Sequence, residues 1–246
     1  MRNGLLKSFA LVALLATVFV SCINNYNGDV VDLGLPSGVK WATCNLGAAN
    51  PWEYGNYYAW GETDVKNYYS YETYKHCNGS PFTLTKYCYD AEYGNEGFTD
   101  NLTTLESADD AATAVLGSDY SMPTDTDWKE LYSQCYWVWT ENYNNRKVSG
   151  YIVYKAKSAD DKGTIVYADG TPSASYSLSD NHIFLPAAGG CGDSVSIGSD
   201  GCYWSASLYD FYPYNARNCG FDSNLVSPAF FVIRYYGFSV RPVQHK

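Results

Sequence analysis

The chain has 246 residues, a formal net charge of −10, 46% hydrophobic residues and 25 tyrosines. Its length and apolar content suffice for one sizeable core. Its acidity excludes nucleic acid and anionic lipid as partners held by charge.

The N-terminus reads as a leader. Arg2 and Lys7 precede an unbroken run of apolar and small residues, Phe9 to Val20, and Ser21 and Cys22 follow. The run is too short for a spanning helix and has the build of a secretory signal. The predicted signal peptide is 1–21. Its removal takes the net charge to −12, because both charges lost are positive. Residues 22–30 read as a polar tether, and 31–246 as a single domain.

Within the domain, Val39 to Thr43 and Tyr57 to Trp60 are short β-type runs broken by Gly, Pro and Asn. Residues 66–101 are rich in Tyr, Asn and Gly, lack periodicity, and read as an irregular insertion. Leu105, Ala108, Ala112, Val115 and Leu116 recur at helical spacing, so a helix is expected over Thr104 to Leu116, stopped by Gly117. A second helix follows Thr124, the expected N-cap, with Asp127 three residues on and Trp128, Leu131 and Cys135 on one face. Val148 to Ala156 and Thr164 to Ala168 read as a hairpin around "SADDKG". "HIFLPAAGG", "CYWSASLY", "ARNCGFDS" and "FFVIRYYGFSVRPV" add further strands. Two helices followed by many short strands predict an α+β fold.

Chemistry is sparse. Beyond Cys22 the chain has seven cysteines, an odd number for an oxidising compartment. Cys77 with Cys88, and Cys191 with Cys202, are candidates for local bridges. No metal-ligand spacing occurs, and no metal or cofactor is expected. His76, His182 and His245 show no triad arrangement, and "AAGGCGDSV" lacks the end of a phosphate loop. The chain therefore reads as a non-enzyme.

Aromatic residues dominate instead. In Tyr209 to Phe238, ten of thirty residues are Phe or Tyr, and the charges are Asp210, Arg217, Asp222 and Arg234. Read as one strand, the end of that stretch places Phe231, Ile233 and Tyr235 on one face. Phe230, Val232, Arg234, Tyr236 and Phe238 fall on the other. Neither face is polar, so the strand is buried on both sides or meets a partner.

Six motifs in order, "VDLGLPSGVKWATCNLGA", "NYYAWGET", "MPTDTDWKEL", "IFLPAAG", "GCYWSAS" and "GFSVRPV", resemble the Fibrobacter succinogenes major paralogous domain of exported Bacteroidetes proteins. The resemblance covers about 31–243 and is weakest over 66–101. It implies a C-type-lectin-like domain, related to the formylglycine-generating enzyme, with two helices and a mixed, mostly antiparallel sheet. The leader resembles a bacterial lipoprotein signal, with Phe19 where Leu is usual. It implies acylation of Cys22 and a place in the cell envelope, at the outer membrane. The alternative is ordinary cleavage near Ser21. "CINNYN" lacks the acidic cluster associated with export to the outer face.

"YWSASL" and "GFSVRPV" also resemble the fixed flanks of a variable region in proteins diversified by retroelements. The stretch between them lacks Lys, Glu, Gln, Met and Trp, residues that AAC codons mutated at adenine do not reach. That resemblance implies a ligand-facing set: Tyr209, Phe211, Tyr212, Tyr214, Arg217, Cys219, Phe230, Phe231, Val232, Tyr235, Tyr236 and Phe238. Trp204, Ala216, Phe221, Gly237, Val240 and Pro242 would be scaffold. The expected partner is a protein or cell-surface ligand. The alternatives are a structural or adhesive lipoprotein of fixed sequence and a formylglycine-generating-type enzyme, to whose reactive cysteines no cysteine here can be matched. The calcium-site motifs of sugar-binding lectins are also absent.

Overall fold

A computed structural model describes residues 29–192 and 196–245. The expected signal peptide, Cys22 and the expected tether up to residue 28 lie outside them. Over the described residues the fold is α+β, with two helices and three sheets that are mostly antiparallel. No helix among the described residues is long and apolar enough to cross a membrane.

Strands β1 (Val30–Val31), β2 (Lys40–Ala42) and β3 (Tyr57–Tyr58) come first. Helix α1 (Ala111–Leu116) is shorter than its periodicity predicts. The Asp110 side chain accepts from the Ala112 and Thr113 amides and starts the helix there. Upstream, Ser107–Asp109 forms a 3-10 turn and Thr104 bridges to Ser207. Gly117, at φ 94°, ends the helix as expected. Helix α2 (Asp125–Gln134) begins with the expected capping box between Thr124 and Asp127. Its buried face carries Trp128 and Leu131, and the Trp128 ring lies 4.7 Å from that of Trp41.

The second half supplies β4 (Cys135–Thr140), β5 (Gly150–Lys155), β6 (Ile165–Val166), β7 (His182–Pro186), β8 (Gly201–Leu208) and β9 (Asn215–Asp222). β10 (Leu225–Ile233), β11 (Phe238–Ser239) and β12 (Val243–Gln244) complete it. β12 and β1 flank β2, so the two ends of the described chain share one small sheet.

The expected hairpin around "SADDKG" does not form. β5 pairs with β4 and β7, while β6 runs parallel to β4 on its other edge. The reason lies in β4, "CYWVWT", which is buried on both faces and paired on both edges. Cys135, Trp137 and Trp139 enter the main core, whereas Tyr136 and Val138 enter a smaller layer that Tyr143 and Phe184 share. The "SADDKG" segment crosses the end of β4, with the Gly163 amide on the Cys135 carbonyl at 3.0 Å.

The five-stranded sheet β10-β9-β8-β11-β3 divides two cores. Tyr203, Cys219 and Phe221 face the main one, and Trp204, Ala206, Ala216 and Phe238 face the other. The scaffold residues expected from the motifs, Trp204, Ala216, Phe221, Gly237, Val240 and Pro242, are all buried.

The insertion is irregular, as expected, with a single 3-10 turn at Asn95–Gly97 and isolated bridges. Tyr74, Cys77, Leu84 and Cys88 nonetheless give it a core of its own against Ala59. All seven described cysteines are free, so neither expected bridge forms. Cys191 pairs with Gly237 while Cys202 pairs with Gly220, two separate places in the fold. The Cys77 thiol donates to the Tyr71 carbonyl and that of Cys88 to the Asp90 carbonyl.

Candidate functional site

The C-terminal aromatic stretch is not one strand. β10 ends at Ile233, residues 234–237 turn with the Tyr236 amide on the Ile233 carbonyl at 3.2 Å, and Phe238 opens β11. The register of β10 against β9 also shifts between Ser227 and Phe230, across Pro228, which has no amide to donate. Simple alternation therefore fails, and the adjacent Phe230 and Phe231 are both exposed.

The structure sorts the expected ligand-facing residues into three groups. Phe211 (69%), Phe230 (52%), Tyr212 (44%) and Phe231 (40%) are exposed. Tyr209, Tyr214, Arg217, Val232 and Tyr235 are half-buried. Cys219, Tyr236 and Phe238 are buried, which corrects their expected place on the surface. Cys219 points into the main core from β9. Phe238 packs 4.8 Å from the Trp204 ring, filling the second core. The Tyr236 ring belongs to the second core and lies beside Gly192, where a Cβ would come within 2.7 Å of it. Tyr236 and Tyr235 also line a separate cleft of about 420 Å³ between the insertion and residues 191–192.

The exposed rings form one patch. Tyr209 stacks on Phe231 at 3.9 Å and 9°. Phe230 lies 5.8 Å from Phe231, and Phe211 5.5 Å from Tyr209. Tyr212 stacks on Tyr214 at 5.5 Å. The insertion extends this ladder: Tyr93 meets Tyr214 at 5.3 Å and Tyr212 at 6.4 Å, and exposed Phe82 stacks on Tyr93 at 5.5 Å. Sequence reasoning missed Phe82 and Tyr93. The only local signal for them was the aromatic density of the insertion.

Charge in the patch is neutralised. The Arg217 guanidinium lies 4.7 Å above the Tyr209 ring, pairs with Asp210 and donates to the Ala229 carbonyl at 3.0 Å. The Tyr89 hydroxyl donates to the Tyr209 carbonyl at 3.0 Å, tying the insertion to this loop.

Beneath the patch, Arg234 is buried, not partner-facing. It lies 5.4 Å from both the Trp60 and Tyr74 rings and donates to the Lys86 and Tyr87 carbonyls. Nearby, Asp109 accepts from Lys75, Lys86 and the Tyr87 hydroxyl. Burial opposes its ionisation, but those three bonds outweigh it and hold the carboxyl well below the usual carboxylate range.

Burial pushes up the thiols of Cys44, Cys77, Cys88, Cys135, Cys191, Cys202 and Cys219, which disfavours the thiolate a nucleophile needs. Among the described residues no group of three or more His, Cys, Asp or Glu side chains is arranged to hold a metal ion. Comparison of the chain with family models, curated proteins and solved structures returns no match.

Proposed function

We propose that the protein is a surface-anchored lipoprotein that binds a protein or cell-surface ligand on the aromatic face around Tyr209, Phe211, Tyr212, Phe230 and Phe231, and performs no chemistry. The observation that carries this reading is the exposure of four large aromatic rings in one patch, linked to one another directly or through Tyr209. Contiguous apolar patches on soluble proteins mark interaction sites. Tyr and Phe supply rigid contact area at small entropic cost, and Arg over an aromatic ring is a frequent binding anchor. The anchor would be an acyl group on Cys22, at the outer membrane.

The resemblance to the Fibrobacter succinogenes major paralogous domain and its C-type-lectin-like fold agrees with two helices and mixed, mostly antiparallel sheets. The resemblance to a diversified region agrees with the exposure of Phe211, Tyr212, Phe230 and Phe231, positions where side chains can change without disturbing the core. Cys219 and Phe238, buried in the same stretch, favour the second reading: an adhesive or structural lipoprotein of fixed sequence.

Sequencing the gene and its downstream DNA across a cell population tests this. A diversified receptor shows a near-copy of the Trp204 to Val243 coding stretch beside a reverse transcriptase gene. Substitutions then concentrate at codons 211, 212, 230 and 231. A single invariant sequence with no copy anywhere leaves the fixed lipoprotein.

A further inference from the structure

A smaller cleft of about 160 Å³ opens on β8, β9 and β10, beyond the edge of the second core. Its floor is Gly220, paired with Cys202 on one side and Ser227 on the other. Exposed Leu225 and Phe230 form its walls. Neither space nor backbone demands glycine at the floor. A Cβ on Gly220 would meet nothing closer than 3.8 Å, and the residue is outside the left-handed region. Gly201, one strand away, contrasts sharply: a Cβ there would meet Phe221 at 2.0 Å. The recess above Gly220 thus has room for at least a Cβ.

The charged groups at this recess are carboxylates. Asp200 and Asp222 line its rim. Each carboxylate accepts one backbone amide, from Ser196 and Asn224 respectively. Neither has a cationic partner among the described residues. Asn218 is 1% exposed, and its Oδ1 has no hydrogen-bond partner. Its amide nitrogen lies 3.8 Å from the position of a Gly220 Cβ. That nitrogen, a donor, is the Asn218 atom nearest the recess, so the Oδ1 is not what a ligand there would meet. Burial, with Asp200 beside it, pushes the Cys202 thiol up to about 12, so it stays neutral.

We infer that this cleft binds an organic cation: an apolar stem over Gly220, between Leu225 and Phe230, with an ammonium or guanidinium head at the Asp200 and Asp222 rim. Apolar walls with a few convergent acceptors are the composition of a small-ligand site. The cleft shares Phe230 with the aromatic face but stands whether or not that face binds a ligand.

The test is an amide NMR titration of the full chain in detergent micelles, with phenethylammonium, its neutral analogue 2-phenylethanol, and Nα-acetyl-lysine methylamide. A cationic compound shifts the Cys202, Gly220 and Phe230 amides saturably, with a Kd on the order of 1 mM. The alcohol binds about fivefold more weakly. Gly220→Val abolishes the response by filling the floor. Asp200→Asn with Asp222→Asn keeps the shape and reduces the cation to the level of the alcohol. That double variant decides the matter should Gly220→Val not fold. Tighter binding of the lysine derivative assigns the site to a partner's side chain, and tighter binding of phenethylammonium to a free amine. Equal binding of alcohol and cation, no binding, or binding unchanged in the Asn variant overturns the inference. Loss of the aromatic-face reading leaves all these outcomes unaffected.

Discussion

Phe211 and Phe238 carry the same ring in the same aromatic stretch, yet their surroundings are opposite. Phe211 stands mostly in solvent, whereas Phe238 is sealed between Trp204 and Tyr236. Truncating a buried Phe removes its transfer energy and leaves a cavity. Phe238→Ala should therefore cost about 3–5 kcal/mol. Phe211→Ala and Tyr212→Ala should change stability by no more than about 0.5 kcal/mol. Urea unfolding midpoints measure both. A large loss in Phe211→Ala would place that ring in a core and remove it from any binding face. Tyr236→Ala should follow Phe238→Ala in sign, because its ring is buried in the second core. Nothing local in the sequence separates these residues. All are large aromatics within two residues of another aromatic, and their exposure depends on where each one falls in the fold.

At the scale of elements, the insertion and the C-terminal turn are held together by Arg234. Its guanidinium satisfies the Lys86 and Tyr87 carbonyls and fills the space between Trp60 and Tyr74. Arg234→Met keeps much of the volume but orphans those carbonyls. The expected loss is about 3 kcal/mol or less. It should appear first as faster proteolytic cleavage within residues 66–101, while the amides of β4 and β5 keep their protection from exchange. Simultaneous loss of protection in β4 and β5 would show instead that insertion and core unfold as one unit. The insertion's irregularity was legible from its lack of periodicity. Its role as a wall of the aromatic face was not, since the rings it contributes meet Tyr212 and Tyr214 across more than a hundred residues of chain.

Across the whole molecule, acid should weaken the fold in two stages. Burial pushes His76 down from 6.5 to about 4, against the opposing pull of the Gly61 carbonyl and Asp109. The folded state thus takes up this proton later than the unfolded state. The stability associated with neutral His76 is complete above 6.5 and is lost as pH falls toward 4, by at most about 3 kcal/mol. Asp109 is depressed, so its contribution persists through that window. It is lost only as pH falls below the ordinary carboxylate range and through its lowered value. His76→Gln should flatten the first stage and leave the second, as read from urea midpoints at pH 7, 5.5 and 4. Parallel decline of both proteins over that interval would assign the first stage to another group.

Local chemistry was sufficient for much of the architecture. The capping box at Thr124 and the apolar face of Trp128 and Leu131 specify α2 from neighbouring residues alone. The runs at β7, β8 and β9 are likewise self-evident, and the motif residues from Trp204 to Pro242 are core as expected. The composition itself established an aromatic, acidic chain. Tertiary structure alone decided that β6 lies parallel to β4, that Arg234 is buried, and that Cys219 and Phe238 are core while Phe211, Tyr212, Phe230 and Phe231 are not. Those outcomes depend on strand pairing, on the register shift after Ser227 and on contacts from a distant insertion. Spacing along a chain records which side chains share a local face, but not which other segment covers that face.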